Sequence, residues 1–375
     1  MRLLNLQLEN FRNYDRYELK FDAKKNINVF TGPNGIGKTN ILEAIYVLSL
    51  GKSFRTVLQD NLILWGMDYM RCTGEVEDED DTIKLEVSYS NYPQKKKIFK
   101  RNDVALTNSE YFGTLLTVFF HPEDLNMLCL TPSLRRKYIN ILLSQTDRKY
   151  LEALLKYNRV IKQRNRLLQQ ILESKMKKLS TDSLMRDLEA WNEETVTYGS
   201  ILIKARNDYV KFLNKKISSF YKSISGGKEK VSVKYINNVL NEEDLTLSEI
   251  HKLFTKKIAD RVERAIFQRK TITGPHRDDL EFCINEKSIN SSASRGEFRT
   301  LLLAIKLSEI EYLKTQTKKS PVLLLDDVFS ELDDVRQTKL FDAISDCQTI
   351  ISTTNLSKAD KLAKNANFLP LDDVG

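Results

Sequence analysis

A glycine-rich segment close to the start of the sequence has the residue types and spacing of a phosphate-binding loop. Residues 32–39 read GPNGIGKT and match the pattern GxxxxGK[ST] in full. Glycines let the backbone approach a phosphate closely, and the N–H groups at the start of the next helix attract negative charge. We expect Lys38 to reach the β- and γ-phosphates and the Thr39 hydroxyl to ligate Mg²⁺. The residues expected to hold ATP here are Gly32, Pro33, Asn34, Gly35, Ile36, Gly37, Lys38, Thr39 and Asn40.

Two adjacent carboxylates end an apolar run much later in the sequence. Residues 321–327 read PVLLLDD, the form of a Walker B segment on a buried strand. Asp326 is expected to hold Mg²⁺ opposite Thr39, and Asp327 to orient or deprotonate the water that attacks ATP. Together with Lys38 these are the expected catalytic residues. The alternative is that two acids simply cap the next helix, but residues 330–333, SELD, follow at the distance of a D-loop and favour the catalytic interpretation.

A serine and a glycine precede an apolar helical pattern that begins near residue 301. Residues 294–297 read SRGE and match the S-x-G-[QE] core of the signature motif of ATP-binding cassette (ABC) ATPases. In those enzymes the motif closes over the nucleotide of a second subunit. Ser294, Gly296 and Glu297 are therefore expected to complete the site across an ATP-dependent homodimer. The alternative is an ordinary helix start in which Ser294 and Glu297 form a capping box.

The segment after the next strand lacks the switch histidine of many cassette transporters. Residues 352–355 read STTN, and Thr354 is expected to contact the γ-phosphate through a neutral hydrogen bond. No histidine follows His276, which argues against the ATPase subunit of a transporter. Most cassette ATPases also have glutamate at the position of Asp327, and the shorter side chain predicts a slow ATPase.

Strand-like and helix-like patterns divide the chain into three stretches. Short β-type runs occur early, for example at residues 3–8 and 27–30, and strand–helix alternation returns after residue 274. Between them the sequence is charged and helix-patterned. These patterns predict an α/β fold, an ABC-type P-loop ATPase head split in sequence with an inserted, mainly helical arm domain. The predicted head (lobe I) comprises residues 1–125 and 271–375, and the predicted arm (lobe II) comprises residues 126–270.

The arm carries a heptad-like pattern. Seven residues alternate at steps of three and four, which predicts the a/d seam of a short coiled coil, although a plain helix packed on its neighbours is the alternative. An SMC-like tethering ATPase would need hundreds of heptad residues between the two halves of its head, so this class is disfavoured. The residues of the predicted seam are Leu151, Leu154, Asn158, Ile161, Asn165, Leu168 and Leu172.

Charge and cysteine usage narrow the class of protein. The net charge is +8, from 59 basic and 51 acidic residues, which suits a partner made of phosphates. The four cysteines lie far apart without a CxxC, and only three histidines occur, so neither a zinc site nor a disulfide framework is expected. No apolar run approaches the roughly 18 to 20 residues that span a bilayer. The first residues alternate like a strand, so we expect a cytoplasmic protein with no membrane partner.

Two basic regions are candidates for DNA contact, with a solvated surface as the alternative for each. Phosphate contact predicts an affinity that falls steeply with salt and shows little base preference. One region is the run KKKIFKR at residues 95–101, and the other consists of Arg159, Lys162, Arg164 and Arg166 on the arm.

Five segments, in order, resemble the RecF family along nearly the whole chain. The resemblance implies that Arg12 approaches the bound nucleotide. It also implies a protein that binds ATP, dimerises, engages single-stranded and gapped DNA at junctions with duplex, and helps to load recombinase together with RecO and RecR. Leu130 stands where the family is expected to have glycine, so the loop there is expected to differ in shape. The segments are 9–14 (ENFRNY), 122–140, 157–168, 274–280 (GPHRDDL) and 322–340.

Overall fold

The computed structural model describes residues 1–79, 81–240, 244–328, 332–353 and 366–371. The chain divides into two units, one of Met1–Leu125, Ser219–Lys228 and Ser294–Gly375, the other of Asn126–Ser218 and Glu229–Ala293. Residues 271–293 were assigned to the head by the sequence analysis, but the structure places them in the second unit. The reason is strand pairing, because β10 (Asp279–Ile284) pairs along its whole length with β9 (Val231–Ile236).

A five-stranded parallel sheet forms the centre of the first unit, in the order β14-β3-β13-β12-β8. Its strands are short apolar runs, as expected for parallel strands that are covered on both faces. Functional loops of such sheets follow the carboxyl ends of the strands, so this edge is where the candidate site must lie. The strands are β3 (Ile27–Thr31), β8 (Thr117–Phe120), β12 (Val322–Asp326), β13 (Thr349–Ser352) and β14 (Ala366–Pro370).

A six-stranded sheet with antiparallel pairing forms the other layer of the first unit, in the order β2-β1-β4-β5-β6-β7. The helix α1 (Lys38–Leu50) contacts strands of both sheets. Apart from Glu43 and Ser49 its sequence is apolar after Asn40, which is the pattern of a helix buried all round. The strands are β1 (Arg2–Phe11), β2 (Tyr14–Lys20), β4 (Tyr69–Asp78), β5 (Asp81–Ser90), β6 (Lys96–Arg101) and β7 (Val104–Leu106).

Helices account for most of the rest of the described chain, and none of those described is both long and apolar enough to cross a membrane. Short 3₁₀ turns lie at Gln59–Leu62, Pro122–Asp124 and Pro275–Arg277. Besides α1, the helices are α2 (Asn108–Tyr111), α3 (Leu125–Cys129), α4 (Pro132–Thr146), α5 (Arg148–Met176), α6 (Asp182–Ser225), α7 (Leu247–Asp260), α8 (Val262–Phe267), α9 (Ile289–Ser292), α10 (Arg295–Thr317) and α11 (Asp334–Ile344).

The second unit is helical, as predicted, but it also contains a small sheet that the sequence analysis missed. Its order is β11-β10-β9, with β11 at Lys287–Ser288. Two of the unit's helices, α7 and α8, follow one another and are separated at Arg261. Leu130 is exposed at the end of α3, so its side chain extends into solvent where glycine was expected.

The predicted coiled-coil seam is displaced by about one residue. On α5 the buried residues repeat at three and four but begin at Tyr150, and the predicted seam residue Asn158 is exposed. Asn165 instead accepts hydrogen bonds from the backbone N–H and hydroxyl of Thr271. The predicted register is therefore only partly right, because buried aromatic residues share the face with the aliphatic ones on which the prediction was based. The buried residues spaced at three and four are Tyr150, Ala153, Tyr157, Val160, Arg164, Leu167 and Ile171, and the predicted seam residues Leu151 and Leu168 are buried beside them.

The prediction that Arg164 contacts DNA was also wrong, because its side chain is buried inside the second unit. It is only 1% exposed, and its guanidinium donates to Asn192 Oδ1 and Thr271 Oγ1, both at 2.8 Å. A buried charge must be satisfied by polar partners, and these two provide them. Arg159, Lys162 and Arg166 are exposed, and their contact with DNA stays a prediction.

Candidate nucleotide-binding site

The phosphate-binding loop lies between the end of β3 and the start of α1. Gly37 caps α1 with a φ of +111°, a left-handed conformation that side chains rarely adopt. A Cβ at this position would also overlap the hydroxyl of Tyr14, which is buried and has no hydrogen-bond partner among the described residues. Backbone conformation and close packing both require glycine here, so the loop is held tightly against β2.

Lys38 is the first residue of α1, and its ammonium group lies inside the loop. Nζ donates hydrogen bonds to the carbonyl oxygens of Gly32 at 2.7 Å and Pro33 at 2.6 Å. Burial lowers the pKa of Lys38, while the nearby carboxylates of Asp327 and Asp326 oppose that shift. A partly desolvated cation bonded to neutral carbonyl oxygens is well suited to bind a phosphate, since an anionic oxygen adds Coulomb attraction that a carbonyl lacks.

Asp326 at the end of β12 is hydrogen-bonded to the start of helix α1 and to the neighbouring strand β13. Its Oδ1 accepts hydrogen bonds from Thr39 Oγ1 at 2.9 Å and from Ser352 Oγ at 2.5 Å. The strand register explains the second contact, because Asp326 of β12 pairs with Ser352 of β13. Thr39 and Asp326, predicted as metal ligands from distant motifs, are therefore brought together.

The donor set fits Mg²⁺ carried with a nucleotide. A hydroxyl and a carboxylate are hard oxygen donors, and Mg²⁺ usually takes one or two carboxylates and completes its shell with water and substrate phosphates. Within the described ranges, no group of three or more His, Cys, Asp or Glu side chains is placed to hold a metal ion. The site thus resembles a nucleotide-linked metal position more than a cage built from protein alone.

His121 is a site residue that the sequence analysis missed. It follows β8, whose Phe120 pairs with Leu325 of β12, so the next residues of the two strands lie side by side. His121 Nδ1 accepts a hydrogen bond from the Glu123 backbone N–H at 3.2 Å. In the neutral ring Nε2 then carries the hydrogen, and this atom lies 3.6 Å from Asp326 Oδ2. A histidine that directly follows a predicted strand of the core was the available signal.

Asp327 has a backbone conformation that explains its residue type. Its φ is +48°, in the left-handed region where aspartate and asparagine are tolerated better than other side chains. The Asp327 N–H donates to the Ser352 carbonyl oxygen at 3.1 Å, which fixes this conformation at the end of β12. The longer glutamate of other cassette ATPases would adopt this backbone less readily.

The predicted signature motif forms the start of α10. Ser294 Oγ accepts a hydrogen bond from the Glu297 N–H at 3.3 Å, and the Ser294 N–H donates to Glu297 Oε2 at 2.7 Å. These bonds lower the pKa of Glu297. The capping box considered as an alternative is therefore present, and it occupies the Glu297 carboxylate that was expected to contact nucleotide. The Ser294 hydroxyl is also hydrogen-bonded to the Glu297 carboxylate, so an incoming anion would have to take over its hydrogen.

Gly296 is not required by the packing of its own subunit. A Cβ built there would meet nothing nearer than Arg336 Nη2 at 3.7 Å, and its φ is not among the positive ones. Glycine at a helical position is about 1 kcal/mol less favourable than alanine. Neither sterics nor backbone conformation within the subunit therefore explains this glycine.

Arg12, which the family resemblance implied to approach the nucleotide, is hydrogen-bonded within its own subunit, and its contact with nucleotide stays a prediction. Its Nε and Nη2 donate to the two carboxylate oxygens of Glu43 at 2.8 and 2.7 Å, and its Nη1 donates to the Asn61 carbonyl at 2.7 Å. Glu43 is fully buried on α1. A different arginine, Arg55, donates to Asn40 Oδ1 at 2.8 Å and thus reaches the residue that follows the phosphate-binding loop. Thr354, and Ser330 and Glu331 of the D-loop, lie outside the described residues.

Comparison with known proteins identifies the family. The family described as RecF/RecN/SMC N terminal domain matches residues 2–368. The chain is 37% identical over 357 residues to the DNA replication and repair protein RecF of Oceanobacillus iheyensis, covering 95% of this chain and 94% of that protein. The chain belongs to the RecF family. It is also 36% identical over 359 residues to RecF of Bacillus mycoides, covering 95% of this chain and 92% of that protein.

Solved RecF structures have the same fold as this RecF-family chain. One, described as the recombination mediator protein RecF-ATP in the RecFOR pathway, has a TM-score of 0.86 at 34% identity, covering 94% of this chain and 92% of that one. Another, RecF-ATPrS, has a TM-score of 0.88 at 32% identity, covering 100% and 98%. An SMC head at 16% identity and a TM-score of 0.54 shares the fold alone. The ABC-type ATPase fold predicted from the motifs is confirmed.

Proposed function

We propose that this chain is an ATP-dependent DNA-binding protein of recombinational repair and replication, in which ATP-driven dimerisation controls the grip on DNA. The observation that carries the proposal is the convergence of Lys38, Thr39 and Asp326 at one edge of the parallel sheet. Membership of a family whose relatives are described as DNA replication and repair proteins supports the biological role.

The nucleotide half of the mechanism uses residues of one subunit. Thr39 and Asp326 would hold Mg²⁺, which supplies positive charge beside the β- and γ-phosphates when it is bound. Lys38 exchanges its two carbonyl partners for phosphate oxygens, which are charged acceptors. Asp327 orients the attacking water and accepts its proton, so ATP and water yield ADP and phosphate. The short Asp327 side chain suits slow turnover, and hence a timed switch.

The second half of the site comes from another copy of the chain. Ser294 and Gly296 of the partner subunit would close over the γ-phosphate, with the Ser294 hydroxyl donating and the start of α10 contributing its positive helix end. The unexplained glycine at 296 supports this arrangement, because it leaves room for an incoming phosphate. Hydrolysis then removes the group that links the two subunits, and the dimer opens.

The DNA role is proposed from the family. We place the protein in the cytoplasm, on single-stranded and gapped DNA at junctions with duplex, where it assists recombinase loading with RecO and RecR. A relative of known structure is described as part of the RecFOR pathway, which supports these partners. An SMC-like tether is the alternative, but the longest described helices, α5 and α6, have 29 and 44 residues. A tether that spans hundreds of heptad residues would need far longer ones.

Sedimentation with and without ATP, in the presence of gapped or blunt DNA, tests the proposal. The wild type should dimerise with ATP and bind gapped DNA more tightly than blunt duplex. Ser294→Arg should bind ATP yet remain monomeric, whereas Lys38→Ala should lose ATP binding itself. If Ser294→Arg dimerised normally with ATP, or a monomer hydrolysed ATP at a rate independent of protein concentration, the shared site would be wrong.

A further inference from the structure

Several large apolar side chains on the first unit are exposed together. Trp65 is 98% exposed, Val57 97% and Tyr92 70%. Leu58, Met67 and Tyr69 are exposed beside them in sequence. Single exposed apolar residues are ordinary, but a group of this size on one segment indicates an interaction surface.

Trp65 is held at the tip of a well-fixed turn. Leu64 N–H donates to the Asn10 carbonyl at 2.8 Å, and Met67 N–H closes the turn by donating to the Leu64 carbonyl at 3.0 Å. Gly66 supplies the left-handed residue with a φ of +86°. The backbone is thus anchored on the end of β1 while the indole itself meets solvent. Because the backbone is fixed, only the side-chain torsions of Trp65 would have to be ordered when it binds.

The turn that carries Trp65 is joined to the β5–β6 turn that carries Tyr92. The Asn91 N–H donates to the Asp68 carbonyl at 2.9 Å. Asp60 is the second link, because its carboxylate accepts hydrogen bonds from Tyr89 Oη and from Lys95 Nζ, both at 2.5 Å. Both aromatic rings therefore belong to one surface, and the carboxylate beneath it is already paired with a cation.

Lysines also lie on this surface, where Asp60 pairs with one of them, Lys95. Lys95 and Lys96 are exposed and lie immediately after the Tyr92 turn. Lys97 is partly buried, and its Nζ donates to the Gly51 carbonyl at the end of α1 at 2.6 Å. Because α1 begins at Lys38 in the phosphate-binding loop, one buried helix connects the nucleotide site with β6. We call Trp65, Tyr92, Lys95 and Lys96 the aromatic–lysine surface.

We propose that the aromatic–lysine surface binds unpaired bases of DNA, with Trp65 and Tyr92 stacking on the bases and the lysines contacting phosphates. This inference rests on the proposed function and assigns residues to its DNA contact. Aromatic rings that alternate with basic residues are the arrangement by which proteins bind single strands without sequence readout. Lys96 is exposed and forms no ion pair with a described residue, so a polyanion would satisfy its charge whereas an apolar protein partner would not.

Fluorescence gives a direct test, because the sequence has only two tryptophans, Trp65 and Trp191. In a Trp191→Phe variant, stacking of oligothymidylate or of gapped duplex on Trp65 should quench the emission, and blunt duplex should not. The same titration with ATP and without DNA tests whether a second copy of the chain covers this surface instead. If ATP-driven dimerisation alone buries Trp65 and quenches it, the surface is an interface between copies, and the DNA assignment is overturned.

Affinity and its salt dependence provide the second test. Trp65→Ala should weaken binding of oligothymidylate and gapped DNA about tenfold, with the salt slope unchanged, because stacking releases no counterions. Lys96→Ala should lower the slope by about 0.7, the value for one phosphate contact on a single strand. Trp65→Phe should restore most of the affinity, and Phe267→Ala, an exposed aromatic of the other unit, is the matched control.

Comparing Trp65→Ala with the wild type distinguishes failure of the base-stacking proposal from failure of the proposed function. Trp65 is almost fully exposed, so Trp65→Ala should fold and bind ATP normally. If Trp65→Ala bound gapped DNA with wild-type affinity, the surface would not contact bases, while ATP-dependent DNA binding would stand. If the wild type bound no DNA with ATP at any salt concentration, the proposed function itself would be wrong, and this inference with it.

Discussion

His121 Nε2 lies 3.6 Å from Asp326 Oδ2, on the side of the carboxylate opposite the hydroxyls of Thr39 and Ser352. The Glu123 N–H holds the other ring nitrogen, so the His121 ring presents a hydrogen to Asp326. The ring is further supported by Phe54 and Phe119, whose centroids each lie 5.5 Å from it. This contact makes His121 a positioning residue for the carboxylate that is expected to ligate Mg²⁺.

Removing the His121 ring should weaken the response to Mg²⁺. Residues that orient a metal ligand typically change metal affinity about 10- to 100-fold when they are replaced. We expect His121→Ala to shift the Mg²⁺ dependence of ATP binding about tenfold to higher concentration, and His121→Gln, which keeps a donor, to recover part of it. Titration of a fluorescent ATP analogue with Mg²⁺ measures this. Binding in EDTA should be unchanged, and an unaltered Mg²⁺ curve in His121→Ala would contradict the assignment.

Arg12→Ala should destabilise the protein before it affects nucleotide binding. Glu43 is fully buried, and Arg12 supplies two of its charge-assisted hydrogen bonds. Without Arg12 the buried carboxylate keeps only the Ser53 hydroxyl and, at 3.7 Å, the half-exposed Arg55, so the free energy of unfolding should fall by up to about 3 kcal/mol. Chemical denaturation without ATP measures this loss. Arg12→Met combined with Glu43→Leu should restore stability, whereas a direct nucleotide contact predicts weaker ATP binding at unchanged stability.

Asp327→Asn should separate hydrolysis from binding. Asparagine tolerates the left-handed backbone at 327 but is a poor proton acceptor, so hydrolysis should fall about a hundredfold or more. ATP binding and dimerisation should persist, and the dimer should remain on DNA. Asp327→Ala removes the same chemistry but adds about 1 kcal/mol of backbone strain. Single-turnover ATPase assays and DNA dissociation rates measure these effects. A normal hydrolysis rate in Asp327→Asn would exclude the catalytic role.

His276 should make the stability depend on pH. Its Nε2 donates to the Thr271 carbonyl at 2.9 Å, and its Nδ1 accepts from Tyr157 Oη at 2.7 Å. Burial lowers the pKa of His276 from 6.5 to about 4. The unfolded chain therefore takes up a proton first, and stability falls as pH drops through 6.5 towards 4.

The full effect of His276 is about 3 kcal/mol at the acid end of this window. Other groups titrate there too, so the difference between wild type and His276→Gln is the informative quantity. Denaturation at pH values between 7 and about 5 should show wild type losing stability relative to His276→Gln. Parallel curves would mean that the histidine is protonated inside the fold.

The nucleotide half of the site could be predicted because its signals are local. Residues 32–39 encode a strand–loop–helix transition in eight positions, and the run that ends at Asp326 encodes a buried strand. Parallel strands deliver their following residues to one edge of the sheet. The two motifs had to meet there, and Thr39 and Asp326 are in hydrogen-bonding contact.

The remaining contacts depend on strand order and packing, which the sequence alone does not fix. His121 neighbours Asp326 only because β8 lies beside β12, and several orders suit the same pattern. Arg164 was predicted to be exposed because it is charged. The hydrogen-bond acceptors that allow its guanidinium to be buried, Asn192 and Thr271, are distant in sequence and could not be recognised from it. The family resemblance predicted that Arg12 approaches the nucleotide, but it could not indicate that the Arg12 guanidinium donates two hydrogen bonds to Glu43.

The strand β14 supports the phosphate-binding loop although it is synthesised long after it. It pairs with β3, and the Leu371 N–H donates to the Thr31 carbonyl at 3.0 Å, immediately before the phosphate-binding loop. A side chain at Gly32 would meet the Leu371 oxygen at 3.1 Å, so the two segments are in close contact. A nascent chain on the ribosome therefore lacks the backbone partners of its phosphate-binding loop until residue 371 has left the exit tunnel. The loop is thus fully supported only late in synthesis, however early β3 and α1 are made.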